Sequence, residues 1–128
     1  MEIYGVGTDI VQIDRIESMW HKHGEQFIKK ILSNHELEMF AKQKTKQAAF
    51  IAKRFAAKEA VAKALGTGFR DDVIITQIGV ETDQLGKPSI KFYGKTKEFI
   101  DSMGGLDIMI SLSDETEYCV AFVIILKK

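Results

Sequence analysis

The 128-residue chain holds one cysteine, one proline and one tryptophan, and its charges show no excess of either sign, with 18 Lys and Arg against 18 Asp and Glu. Each scarcity excludes something. A lone Cys119 rules out a disulfide framework and any zinc site built on paired cysteines. Nowhere do about 18 apolar residues run together, so no membrane span is expected. Met1-Glu2-Ile3-Tyr4-Gly5 lacks the basic-then-apolar plan of a signal peptide. At 45% hydrophobic and 28% charged, the chain is too apolar to be disordered. Its length suits one domain, residues 1–128, able to bury about two-thirds of its unfolded surface without a staple. The expectation is a reduced, cytoplasmic, single-domain protein.

Neutrality hides an uneven distribution. Residues 1–41 carry a net −3 and residues 64–128 another −3, while residues 42–63 carry +6. Those cations are Lys42, Lys44, Lys46, Lys53, Arg54, Lys58 and Lys63, with Glu59 the single acid among them. A basic block inside a neutral chain suggests a local anionic ligand; a solvated helical face is the bland alternative.

Ile3 to Val11 is β-rich and glycine-punctuated, reading as a strand whose glycines permit close backbone approach or a bulge. Asp14 is placed to cap a helix from Arg15, with Ile16, Met19 and Trp20 at helical spacing and Gly24 at its end. Phe27, Ile28, Ile31 and Leu32 predict a second short helix, and Ser33-x-x-Glu36 is a capping box opening a third. The longest helix is expected from Lys46 to Leu65, ended by Gly66-Thr67-Gly68. Val73–Glu81 and Ser89–Tyr93 read as strands around the turn residues 83–88. A short helix over 96–103 then precedes strands Ile108–Leu112 and Tyr118–Leu126, joined by an acidic turn. Helices early and antiparallel strands late predict an α+β fold: an antiparallel sheet with one long and several short helices.

The long helix breaks the two-face rule. At about 100° per residue, Arg54 and Lys58 fall within the arc of Phe50, Ile51, Phe55, Val61 and Leu65, where cations either snorkel or meet a partner. Glu59 and Lys63 lie on a stripe otherwise made of Ala52 and Ala56, which would admit something large; a simple i, i+4 pair is the plainer alternative. Asp9 reads either as a turn cap or as a ligand. Should Asp9 and Glu59 converge near Arg54 and Lys63, they would suit a hard cation with phosphates. His21 and His23 face different ways on a helix, His35 lies in the capping segment, and Cys119 reads as core. No dinucleotide fingerprint or P-loop is present.

Gly5-Val6-Gly7-Thr8-Asp9-Ile10-Val11, Arg54-Phe55-Ala56-Ala57-Lys58-Glu59-Ala60-Val61-Ala62-Lys63-Ala64, Gly66-Thr67-Gly68, Gly86-Lys87-Pro88 and Ile110-Ser111-Leu112-Ser113 together resemble the bacterial holo-acyl-carrier-protein synthases, small 4′-phosphopantetheinyl transferases. The resemblance spans essentially the whole chain. It implies an α+β homotrimer with sites between subunits, magnesium, and coenzyme A as donor of phosphopantetheine to a serine of apo acyl carrier protein. It also implies that Asp9 and Glu59 hold magnesium, that Glu59 and Lys63 are catalytic, and that Arg54, Lys63, Gly66, Lys87 and Pro88 meet the coenzyme. Arg15, Met19 and Lys22 form a cationic surface with an apolar anchor that suits the acidic carrier protein, a docking mode the family favours. Many relatives carry histidine where this chain has Asp114, so that residue's role does not carry over. The competing readings are a non-catalytic phosphate- or RNA-binding module using residues 42–63, and a purely structural oligomerisation domain. Neither membrane nor nucleic acid is expected as a partner of the enzyme.

Overall fold

The computed structural model describes residues 2–128. Strand β1 (Ile3–Gln12) runs directly into helix α1 (Ile13–His23), followed by α2 (Glu25–Lys29), α3 (Asn34–Ala41) and the long α4 (Gln47–Leu65). The second half comprises a 3-10 turn at Ile75–Gln77, β2 (Ile78–Thr82), β3 (Pro88–Phe92), α5 (Gly94–Ser102), β4 (Leu106–Asp114) and β5 (Tyr118–Lys127). The α+β class is as expected, but the strands form two antiparallel sheets rather than one: three-stranded β1-β5-β4 and the separate hairpin β2-β3.

Helix α4 lies across β1 and β5. Ala52, Ala56 and Ala60, one turn apart, are fully buried, a small-residue ridge that lets the helix settle closely onto the sheet. The glycines of β1 complete that fit. A Cβ on Gly5 would lie 1.9 Å from the Ala64 carbonyl oxygen, and one on Gly7 would lie 2.0 Å from that of Ala60. The strand and the helix touch backbone to backbone, and a register shift between Ile3 and Gly5 adds the bulge. Gly5, Gly7, Asp9 and Val11 therefore face α4. Val6, Thr8 and Ile10 point to the opposite face, because strand side chains alternate.

Several boundaries differ from the sequence reading for local reasons. Asp14 does not cap α1: Gln12 occupies that place, no side chain caps it, and Asp14 sits in the first turn. The Ile13 N–H is satisfied instead by the Glu117 carbonyl (2.8 Å). Helix α2 stops at Lys29, and Ile31 and Leu32 follow in a turn whose N–H groups both reach the Ile28 carbonyl. Residues 73–77 are not strand. The Thr96 hydroxyl accepts the Ile74 N–H (2.9 Å) and donates to the Asp72 carbonyl (2.6 Å), pinning a compact turn where the β-branched run suggested extension. The capping box at Ser33 forms in both directions. Gly66, at φ +80° with its N–H on the Ala62 and Lys63 carbonyls, ends α4, a left-handed conformation that glycine adopts without penalty.

The outer face of the three-stranded sheet is apolar, and none of the described residues packs over it. Ile3, Val6, Ile10, Met109, Val120 and Phe122 are exposed there. The inner face, Cys119, Ala121, Val123 and Ile125, is buried. The nearly continuous apolar run of β5 thus splits into an inner half beneath α4 and an outer half facing outward.

Candidate active site

Asp9 sits in mid-strand on the inward face of β1, paired across the sheet with Ala121, so it is not a turn cap. The close approach of α4 brings Lys63 to it: Nζ donates to Asp9 Oδ1 (3.1 Å) and to the Thr8 carbonyl (3.0 Å). Lys63 therefore pairs across to the strand rather than with Glu59. Glu59, one turn earlier on the same side, is half-buried. Burial pushes its carboxyl above the usual range, the Asp9 charge adds to that, and Lys63 opposes it. Asp9, Glu59 and Lys63 line one cavity of about 450 Å³ together with Arg15, Met19 and Phe55. The structure thus brings together a carboxylate pair and a lysine, walled by exposed Arg15 and Met19. Lys22 lies exposed further along α1 and does not line it.

Arg54 is not part of that group. Nine residues separate it from Lys63, which on a helix is about 180°, so the two occupy opposite faces of α4. Its guanidinium stacks over the Phe50 ring at 3.6 Å from the centroid and lies 3.9 Å from Glu36 Oε2. Its side chain is nine-tenths buried, and Nε has no hydrogen-bond partner among the described residues. Burial lowers its pKa from the ordinary value, with Glu36 opposing. Arg54 lines a second cavity, of about 510 Å³, together with Lys46, Lys53, Gly86, Pro88 and Asp114. The two cavities share no residue. Helix α4 begins at this second cavity with Lys46 at φ +54°, no side-chain cap and no acid in its first turn, leaving the positive end of the helix dipole without a compensating carboxylate. Gly66 and Lys87 line neither cavity. Lys87 is exposed in the β2–β3 turn, its N–H bonded to Asp83 Oδ1.

Lys58 answers the question its position in the apolar arc raised. It is fully buried, donating to Glu36 Oε1 (2.6 Å) and to the Ile31 carbonyl (2.5 Å). Burial lowers its pKa, with Glu36 opposing. Glu36 also accepts the N–H groups of Ser33 (2.8 Å) and Val80 (2.8 Å). One carboxylate thus ties α3, α4 and β2 together behind Arg54. Sequence reasoning gave Glu36 only its capping role. The available signal was Lys58 itself, since a buried cation implies an acid nearby. Lys53, read in the sequence only as one cation of the basic block, lines the second cavity and meets Asp114 at 3.4 Å. Cys119 is buried core, its thiol pushed up to about 11 by burial.

Comparisons with known proteins agree on one identity class. A sequence profile of the 4′-phosphopantetheinyl transferase superfamily matches residues 5–123. The holo-[acyl-carrier-protein] synthase of Dechloromonas aromatica is 46% identical over 96% of this chain and 97% of its own. The crystal structure of holo-[acyl-carrier-protein] synthase from Neisseria meningitidis superposes with a TM-score of 0.93 at 41% identity, covering 98% of this chain and all of that one. The Bacillus anthracis holo-(acyl-carrier-protein) synthase, solved in complex with CoA (3′,5′-ADP), gives 0.82 at 33% identity over 98% of both chains.

Proposed function

Because the chain belongs to the holo-acyl-carrier-protein synthases of the 4′-phosphopantetheinyl transferase superfamily, we propose that its two cavities are the two halves of one transferase site. The enzyme moves 4′-phosphopantetheine from coenzyme A to a serine of apo acyl carrier protein and releases adenosine 3′,5′-bisphosphate. The observation that carries the two-half reading is the orphaned, buried Arg54 Nε in one cationic cavity and the Asp9–Glu59–Lys63 group in another that shares no residue with it. Coenzyme A carries two separated anionic centres, the pyrophosphate and the ribose phosphate. The pyrophosphate suits Lys63 and the carboxylate pair. The ribose phosphate suits Arg54, Lys53 and Lys46, with Gly86 and Pro88 as the wall beside it.

Since the halves lie on opposite faces of α4, one coenzyme molecule joins them most directly between neighbouring subunits. The uncovered apolar face of β1-β5-β4 supplies the contact: a patch of that kind marks an association surface, and a homotrimer would cover it. Asp9 and Glu59 would hold a magnesium ion. Among the described residues no three His, Cys, Asp or Glu side chains cluster, and two carboxylates fit magnesium, which keeps waters and takes substrate phosphate oxygens. Held there, magnesium would supply positive charge against that developing on the leaving bisphosphate.

The chain's own groups do the rest. Lys63 exchanges its contact with Asp9 for a phosphate oxygen and stabilises the leaving group. Glu59, with its raised carboxyl, accepts the proton of the incoming serine hydroxyl. Arg15 and Met19 border the same cavity, so an acidic carrier docked along α1, with Lys22 contributing charge, would deliver its serine within reach. The free thiol Cys119 fits the reducing cytoplasm. A non-catalytic RNA-binding module is not supported: Arg54 and Lys58 are buried, so the block 42–63 is no continuous basic stripe.

The test is incubation with coenzyme A, magnesium and apo carrier protein, followed by the intact mass of the carrier. An unchanged mass would overturn the assignment. Mixing separately inactive Asp9→Ala and Arg54→Ala subunits should recover part of the activity if the halves come from different chains. No recovery would place both halves in one chain.

A further inference from the structure

Among the described residues lining the second cavity, Asp114 is the one acid beside three cations, Lys46, Lys53 and Arg54. A carboxylate in a pocket that must take a phosphate opposes binding by like charge, so its presence there calls for a reason. Asp114 ends β4, with its Cα paired to Cys119 across a hairpin closed by the Glu115 N–H to Tyr118 carbonyl bond (2.8 Å). The hairpin therefore fixes the backbone from which its carboxylate reaches the cavity. Lys53 reaches it from α4 with Nζ 3.4 Å from Oδ1, both side chains about one-third exposed. At that length and exposure the pair is a loose charge contact that a better anion displaces.

Resting on the two-cavity reading above, we propose that Asp114 is a positioning residue that holds Lys53 in the empty cavity and opposes the phosphate of the bisphosphate product, speeding its release. Arg54 cannot leave with the product, because Phe50 and Glu36 hold it in place. Lys53 is the movable cation, and carboxylate and phosphate compete for it. When the phosphate enters, Lys53 turns to it. When the phosphate loosens, Asp114 recaptures Lys53, and the remaining negative charge repels the departing anion. Tight product binding would not help turnover, since product release limits the rate of many enzymes.

The experiment is calorimetric titration of the full-length protein with adenosine 3′,5′-bisphosphate, paired with steady-state kinetics. Asp114→Asn should bind the bisphosphate about three- to tenfold tighter at low salt, and the gain should shrink as salt rises. In the variant, kcat should fall while kcat/KM for coenzyme A holds or rises. Asp114→Glu, which keeps the charge, should behave like the parent. In a Lys53→Met background, Asp114→Asn should give less than half the gain, because the competed cation is gone. Dephospho-coenzyme A, which lacks the ribose phosphate, should bind parent and Asp114→Asn alike. Equal or weaker bisphosphate binding by Asp114→Asn overturns the proposal while leaving the two cavities standing. Failure of the parent protein to bind the bisphosphate at all overturns the two-cavity reading itself, and this inference with it.

Discussion

Gly7→Ala would test how the fold builds the Asp9–Glu59–Lys63 group. A Cβ at this position would lie 2.0 Å from the Ala60 carbonyl oxygen, 2.8 Å from the Ala64 nitrogen and 3.0 Å from the Ala60 carbonyl carbon. All three are backbone atoms of α4, so no rotamer change relieves the clash. Real Cβ atoms essentially never approach closer than 3.0 Å, which requires helix and strand to part by about 1 Å. Overpacking in a well-packed core costs about 1–3 kcal/mol, and two rigid backbones put this case at the upper end, about 3 kcal/mol. The functional loss should be larger than stability predicts. Asp9 is two residues on in the same strand, while Glu59 flanks Ala60 and Lys63 flanks Ala64. Parting the elements separates the carboxylates and pulls Lys63 off Asp9, and a displacement near 1 Å in a catalytic group costs about a hundredfold in rate. Gly104→Ala is the control: its φ is +86° with open space where the Cβ would go, so it carries backbone strain alone, about 1–2 kcal/mol, with transfer retained. Urea midpoints followed by circular dichroism, beside the carrier mass-shift assay, read both quantities. A Gly7→Ala protein within about 0.5 kcal/mol of the parent, or destabilised yet fully active, would refute the claim that this glycine sets the site's geometry.

Three further outcomes follow from the same geometry. The folded state binds the Glu59 proton more tightly than the unfolded chain, because the folded carboxyl is raised; the group therefore opposes folding once pH exceeds the unfolded value of about 4.3. Glu59→Gln should lose transfer yet melt above the parent at pH 7, the advantage fading as pH falls to 4 and below, and an advantage constant with pH would contradict this. Lys58→Met leaves Glu36 buried without its closest partner and should lower stability by about 3–5 kcal/mol in urea unfolding, while the double Lys58→Met, Glu36→Gln recovers part of that loss; a single variant as stable as the parent would sink the network. Arg15→Glu should raise the KM for carrier protein about tenfold or more and weaken its salt dependence with little change for coenzyme A; equal weakening of both substrates would move the docking surface off α1.

The sequence made the parts of the site legible to different degrees, and the difference is physical. Local signals survived: the capping box at Ser33 and the glycine stop at Gly66 depend on a few adjacent residues, and both formed as read. The glycines of β1 announced close approach without naming the partner, which only the packing of α4 supplies. Residues 73–77 failed as a strand because a threonine about twenty positions away captures their backbone groups, a contact no window of propensity contains. Arg54 shows the deeper limit. It stands in one motif with Glu59 and Lys63, and nearness in sequence suggested nearness in space, yet a helix turns five residues into about 140° and nine into about 180°. The same projection that exposed Arg54 and Lys58 as cations in an apolar arc also places Arg54 behind the helix from Lys63. The motif is therefore not one run of contacts along a single helix face: Arg54 lines one cavity while Glu59 and Lys63 line another that shares no residue with it, because about 3.6 residues per turn send neighbours in sequence to opposite sides of α4.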